Sequence, residues 1–144
     1  MLMANTYFQF KQFRVDQDRC GMRVSTDACV FGAWIPVDGA MSVLDIGTGT
    51  GLLALMVAQR SRARIIGIDI DEDAANQASE NFSRSPFAER LVAAKIALAD
   101  FRAQRESNSF DLICCNPPFF VNSQPSKDSR RSLARHWRHS DDSL

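Results

Sequence analysis

No run of eighteen apolar residues occurs in the 144-residue chain, so the sequence offers no membrane-spanning helix and no membrane partner is expected. The first residues, Met1-Leu2-Met3-Ala4-Asn5, lack the basic and apolar regions of a secretory signal. Net charge is missing too. Its formal value at pH 7 is zero, so any grip on a nucleic acid has to come from a local patch. The four cysteines (Cys20, Cys29, Cys114, Cys115) show no C-x-x-C spacing, and two are adjacent within an apolar run. That pattern fits neither a zinc knuckle nor a disulfide framework, and it points to reduced core thiols in a cytoplasmic protein. The two histidines, His136 and His139, have no cysteine or carboxylate set at metal spacing, so no metal is expected. There is no internal repeat, and nothing before about Asn122 is of low complexity. What is present, 45% apolar and 24% charged residues, is the composition of one ordinary globular domain with a single core.

Short alternations between Thr6 and Val15 (Phe8/Phe10, Phe13/Val15) predict a strand or hairpin with one buried face. Ser25-Thr26-Asp27 opens a short helix over Ala28 to Trp34, ended by Pro36 and Gly39. A repeating kind of pattern follows. The apolar run Ser42–Ile46 stops at a glycine cluster, and Leu52–Gln59 reads as a helix. A second run, Arg64–Ile70, precedes a helix over Asp73–Ser83 with Ala74, Ala78 and Phe82 on one face. A weaker run, Lys95–Ala99, ends at Asp100, and Phe110–Cys115 ends in Asn116-Pro117-Pro118-Phe119. Continuous apolar strands alternating with helices predict a doubly wound, mostly parallel α/β sheet of Rossmann-like type, with its ligand crevice at the carboxyl ends of the strands. Three regions are expected: 1–40, a hairpin and lid helix; 41–121, the α/β core; and 122–144, a polar and basic segment. Only four core strands are countable, so the sheet is expected to be incomplete at the C-terminus, with its last strand an open edge.

The glycine cluster reads Asp45-Ile46-Gly47-Thr48-Gly49-Thr50-Gly51. Glycines at a strand-to-helix turn let the backbone pass close to a ligand where free N–H groups gather. The spacing is G-x-G-x-G, with Leu52 where a dinucleotide fingerprint has its last glycine. An acid just before the turn repels a pyrophosphate and welcomes an amino group, which favours an amino-acid-bearing nucleoside over NAD. Asp69, ending the second run, is placed to accept ribose hydroxyls, with Ile70 available to cover an adenine face. Asp100, closing the third run with Phe101 beside it, is placed to accept from an adenine amino group. In Asn116-Pro117-Pro118-Phe119, each proline holds the residue before it extended. The Asn116 side-chain oxygen and the Pro117 carbonyl are then two neutral acceptors for one –NH2 group, and Phe119 can stack on a flat base.

These residues resemble the class I S-adenosylmethionine (AdoMet)-dependent methyltransferases, in the amino-methylating branch with an Asn-Pro-Pro-Phe/Tyr motif. The resemblance implies that Gly47, Gly49 and Gly51 line the methionine part of AdoMet. It also implies that Asp45 approaches the amino group, Asp69 the ribose and Asp100 the adenine, while Asn116 and Pro117 hold the target amine. Phe10-Lys11-Gln12-Phe13, Gln17-Asp18, Met22-Arg23-Val24-Ser25-Thr26-Asp27-Ala28 and Gly32-Ala33-Trp34 narrow it further. Together with Asn116 to Phe120 and the stretch Arg130-Arg131…Ala134-Arg135-His136, they are similar to the bacterial family that makes N6-methyladenosine at position 37 of valine tRNA. That family implies cofactor contacts from Ser25 and Thr26 and a tRNA partner. Lys127, Arg130, Arg131, Arg135 and His136 are the candidate RNA grip. A monomer is expected, C-terminally shortened and without the family's closing strands. Two enzymes share the Asn-Pro-Pro motif because their targets are planar amines: a ribosomal RNA guanine-N2 methyltransferase and a release-factor glutamine-N5 methyltransferase. An inactive AdoMet-binding fragment is a third reading, and an NAD-dependent dehydrogenase a more distant one.

Overall fold

The computed structural model describes residues 5–107 and 109–117. Two short strands, β1 (Tyr7–Gln9) and β2 (Arg14–Asp16), pair antiparallel, with Phe8 opposite Val15. The buried face comes from β2 and the turn, through Val15 and Phe13, while β1 is exposed along its length. Helix α1 (Thr26–Trp34) begins where Ser25 accepts the Ala28 N–H, as the Ser-Thr-Asp signal predicts.

Then the α/β repeat begins: β3 (Ser42–Ile46), α2 (Leu52–Arg60), β4 (Arg64–Asp69), α3 (Glu72–Arg84), β5 (Leu91–Lys95), α4 (Leu98–Ala103) and β6 (Leu112–Cys115). The sheet order is β5-β4-β3-β6, and every pairing is parallel. Both faces are covered, which is why the central strands are apolar without alternation. On one face Val43 and Ile65 meet Leu55 and Val57 of α2 and Ala78 and Phe82 of α3. On the other, Leu44, Ile46 and Ile68 meet Phe101 of α4. Each of the larger side chains among these, fully buried, is worth about 1.5–3 kcal/mol. Ala74, Ala78 and Phe82 are all buried, so the stripe read along α3 faces the core. Phe13, Val15 and Ala28 join the same cluster, so the hairpin and α1 share the core of the sheet. No helix among the described residues is long and apolar enough to cross a membrane.

Two strand boundaries differ from the sequence reading by two residues or more. The third strand is Leu91–Lys95, not Lys95–Ala99. Its register sets Leu91 opposite Ile65 and Lys95 opposite Asp69, and the Ile96 N–H then bonds to the Asp69 carbonyl. Asp100 therefore does not close a strand; it sits, exposed, in the first turn of α4. The last strand starts at Leu112. Asp111 lies just before it, and its carboxylate accepts the N–H groups of Met41 and Ser42 at the foot of β3.

The chain runs outward from β3 to β4 to β5, then crosses back to add β6 on the other side of β3. The carboxyl ends of β3 and β6 therefore flank a crevice where the strand order reverses.

One buried amide holds the hairpin to this sheet. Asn81 of α3 is 1% exposed; its Oδ1 accepts the Asp16 N–H, and its Nδ2 donates to the carbonyls of Asp16 and Thr50. Asn81→Ala strands all of these main-chain groups away from water. It is expected to lower the unfolding free energy by about 3 kcal/mol in urea denaturation. A loss below about 1 kcal/mol would mean that water replaces the amide.

Candidate active site

The turn from β3 to α2 is shaped by its glycines. Gly49 has φ +56° and Gly51, the N-cap of α2, has φ +85°. At Gly51 a Cβ would lie 2.5 Å from the Phe82 ring, so this glycine is needed for the approach of α3 as much as for the turn. The turn is pinned to the neighbouring strand. The Thr48 N–H donates to the Ile68 carbonyl at 2.9 Å, and the Gly49 N–H to Asp69 Oδ2 at 2.9 Å. The other Asp69 oxygen accepts the Asp71 N–H at 3.0 Å. Asp69 thus stands at the end of β4 with both oxygens oriented by main-chain donors and with lone pairs to spare.

Asp45 lies one residue before the end of β3 and is 1% exposed. Thr48 Oγ1 donates to its Oδ2 at 2.8 Å, and the Cys114 thiol lies 3.9 Å from its Oδ1. Burial raises the Asp45 carboxyl to about 7, against the opposing effect of the Thr48 hydrogen bond. Asp69 is raised as well, again chiefly by burial, with the Asp71 and Gly49 N–H groups opposing. Burial, reinforced by the negative charge of Asp45, pushes the Cys114 thiol far up. That thiol is a donor to its surroundings and not a nucleophile.

The cleft at the reversal point is lined by Asp45, Gly47, Gly49 and Asn116, together with Met22 and Arg23 from the segment before α1. Asn116 follows directly on β6, so the strand end delivers it to the glycine turn. The residues drawn together from the sequence reading are therefore Asp45, Gly47, Gly49 and Asn116, while Gly51 lies against Phe82 at the start of α2. Pro117 follows, half-buried. Asp69 and Ile70 stand at the end of the next strand, behind Gly49, and do not line the cleft itself. The Ser25 hydroxyl is engaged as the cap of α1, and Thr26 is exposed in the first turn. The Phe101 side chain belongs to the core, stacked on Phe110 with ring centroids 6.0 Å apart. Phe119, Lys127, Arg130, Arg131, Arg135 and His136 lie outside the described residues.

Met22 and Arg23 belong to the stretch that carries the family resemblance, but they were not read as site residues. They reach the cleft because the loop after β2 is tied down: Gln17 Oε1 accepts the Val24 N–H, and Gln77 Oε1 accepts the Arg19 N–H, each at 2.9 Å. A roomier polar pocket of about 300 Å³ lies between the hairpin and α3. Its charges are matched internally: Arg14 and Arg84 both close on Asp16, at 2.9 and 2.8 Å, and Arg19 pairs with Glu80. It contains none of the predicted site residues, and the chemistry is better supplied at the reversal point.

A family model described as the methyltransferase small domain matches residues 27–138. Among curated proteins, the tRNA1(Val) (adenine(37)-N6)-methyltransferase of Bacteroides thetaiotaomicron is 52% identical over 93% of this chain and 56% of its own length. The protein of that name from Aeromonas hydrophila is 50% identical over 92% of this chain and 55% of its own. The chain thus spans little more than half the length of these relatives. Among solved structures, a METTL16 methyltransferase domain superimposes with TM-score 0.61 at 20% identity, over 85% of this chain and 60% of that one. The O-methyltransferase from Bacillus cereus in complex with SAH gives 0.56 at 23% identity, over 69% and 48%. At these identities the structural likeness establishes the Rossmann-like fold.

The raised Asp45 carboxyl has a consequence for stability. Between about pH 4 and 7 the folded protein keeps a proton there that the unfolded chain, with its ordinary value of 3.8, gives up. Stability is therefore expected to fall as pH rises through that window. In Asp45→Asn the decline in melting temperature from pH 5 to pH 8 should be shallower, with a remainder due to Asp69. Identical pH profiles for the two proteins would contradict this assignment.

Proposed function

The chain belongs to the methyltransferase small domain family, and on that premise we propose that it transfers a methyl group from AdoMet to the N6 amino group of an adenine in RNA. The substrate is adenosine 37 of a valine tRNA, as the names of the relatives suggest. The observation that carries this reading is that Asn116 shares one cleft with Asp45 and the glycine turn. A pair of acceptors for a flat amine and a cradle for an amino-acid-bearing nucleoside are thereby adjacent.

The residues present fit the cofactor. The glycine turn leaves room for close backbone approach, Asp45 offers a carboxylate to an ammonium, and Asp69 offers a pre-oriented carboxylate to ribose hydroxyls. Asp100, with Ile70 beside the ribose site, is assigned to the adenine; its position on α4 makes this contact one from a helix and not from a strand end. Phe101 contributes main chain at most, since its ring is in the core. Ser25 and Thr26, at the start of α1, are assigned to the methionine carboxylate. When bound, AdoMet supplies an electrophilic methyl on a sulfonium.

The protein's own part is to present the nucleophile. The lone pair of an exocyclic adenine nitrogen is delocalised into the ring. Two acceptors, the Asn116 side-chain oxygen and the Pro117 carbonyl, take its two hydrogens and favour a more tetrahedral nitrogen with a localised lone pair. Neither acceptor is basic enough to remove a proton, so both orient the amine and the proton leaves to solvent. Positioning of two aligned reactants can supply about 7–11 kcal/mol of the barrier. The base must leave its stack, a loss of a few kcal/mol that stacking on Phe119 offsets. Lys127, Arg130, Arg131, Arg135 and His136 are assigned to the RNA backbone. The reading implies a cytoplasmic monomer.

Nucleoside mass spectrometry of unmodified total tRNA, incubated with the protein and AdoMet, tests this. New N6-methyladenosine is the expected product, and N2-methylguanosine would move the assignment to the guanine branch. No methylated product, from protein that binds AdoMet, would reject catalysis by these residues alone. Asn116→Ala is expected to lower kcat by about a hundredfold or more while leaving AdoMet affinity nearly unchanged. Asp69→Ala should instead weaken AdoMet binding by about tenfold or more in calorimetry. The reverse assignment of effects would sink the proposed roles.

A further inference from the structure

The β1–β2 hairpin has no part in the cleft, yet one of its faces carries an aromatic ring set among cations. Register places Tyr7 opposite Asp16 and Gln9 opposite Arg14, so these four side chains share one face. Phe8 and the core residue Val15 share the other. Tyr7 is 45% exposed, and the Arg14 guanidinium lies over its ring, 3.8 Å from the centroid. Asp16 fixes that guanidinium: its Oδ1 accepts from Arg14 at 3.0 and 2.9 Å, and its Oδ2 accepts from Arg84 at 2.8 Å. One side of the Tyr7 ring therefore rests on a braced cation. Gln9 donates its amide to the Phe10 and Phe13 carbonyls and so steadies the turn that carries Lys11. Lys11 is exposed and, among the described residues, has no hydrogen-bond or ion-pair partner. Residues 5–15 hold two basic side chains and no acid, in a chain of zero net charge.

We propose that this face of the hairpin is an RNA-docking surface, on which Tyr7 stacks on an unpaired base and Lys11 takes a phosphate of the same strand. The inference rests on RNA as the substrate and adds a place, outside the cleft, where the RNA is held. An aromatic ring suits unpaired nucleotides because every base has a π face to stack on it. A base drawn out of its stack leaves its neighbours exposed, and those neighbours need a surface. The hairpin is tied to the cleft where that happens. Asp16, opposite Tyr7, bonds through its main chain to Asn81, which also holds the carbonyl of Thr50 in the cleft wall. At roughly 3.3 Å per strand residue, Lys11 lies on the order of 10 Å beyond Tyr7, within the span of a short run of nucleotides. Arg14, Arg19 and Arg84 are already met by Asp16 and Glu80, which leaves the phosphate to Lys11. Strand addition by another protein is poorly served here, since β1 offers an edge of only three residues.

The test is equilibrium binding of an unmodified valine tRNA transcript across a salt series, with AdoMet affinity measured in parallel by calorimetry. Tyr7→Ala should weaken tRNA binding about fivefold or more, the lower end of what one stacked base supplies. Tyr7→Phe keeps the ring and should stay within about twofold of wild type. Lys11→Gln should lower the slope of log affinity against log salt by about 0.7–0.9, the share of one phosphate contact. AdoMet affinity should match wild type in all three variants, which a general loss of structure would not allow. Wild-type tRNA affinity in both Tyr7→Ala and Lys11→Gln overturns the inference. So does a dimer of the wild type that Tyr7→Ala dissociates in ultracentrifugation, with tRNA affinity intact, which would assign the face to a second copy of the chain. Wild-type protein that binds AdoMet but no tRNA would reject the RNA reading itself, an outcome distinct from both.

Discussion

Asn81 is a short polar side chain in a place where hydrophobic residues would be expected, and the arrangement of the site depends on it. Its amide meets the end of β2 on one side and the Thr50 carbonyl of the glycine turn on the other. Three stretches far apart in sequence are thereby fixed relative to one another inside the core. A buried amide with every partner satisfied specifies geometry in a way that apolar packing does not, because each hydrogen bond tolerates only a narrow range of distance and angle. The ring of Phe82, one residue on, then occupies the space beside Gly51 that any side chain there would need. The glycine turn is thus shaped from below by α3 and from the side by β4.

Above this scaffold lies an acid held under strain. Asp45 is almost wholly removed from water yet, among the described residues, has only a threonine hydroxyl and a thiol as direct side-chain partners. An isolated fold would gain by an amide or an apolar residue at this position. A carboxylate kept there costs the fold stability, which is the usual mark of a position held for function.

Much of this was readable in the sequence because the signals were local. The Ser25 cap, the G-x-G-x-G turn, the carboxylate ending β4 and the apolar stripe of α3 are each written within a few consecutive residues, and each stands where it was expected. The third strand was misplaced because Leu91 to Ala94 follows a turn that has no glycine, only Pro86 and the single 3₁₀ turn Ala88–Arg90. Its true position is set by register against β4, a tertiary fact. Asp100 moved with it onto α4, and the neighbouring Phe101 was taken by the core. The place of Met22 and Arg23 in the cleft was not legible for a similar reason. It is decided by hydrogen bonds to the Gln17 and Gln77 amides, which come from different parts of the chain.

The order of strands has a consequence for how the site comes into being. Pairing β3 with β4 sets Val43 beside Ile65, whereas pairing β3 with β6 sets Val43 beside Leu112, roughly three times as far along the chain. Loop-closure entropy makes the longer contact dearer by about 1 kcal/mol, and topology slows it further. Folding therefore favours β3, β4 and the glycine turn between them forming first. Asn116 arrives with β6, at the last pairing among the described strands. A nascent chain would thus hold the turn, with Asp45 and Asp69 in place, before the strand that carries Asn116 docks beside it.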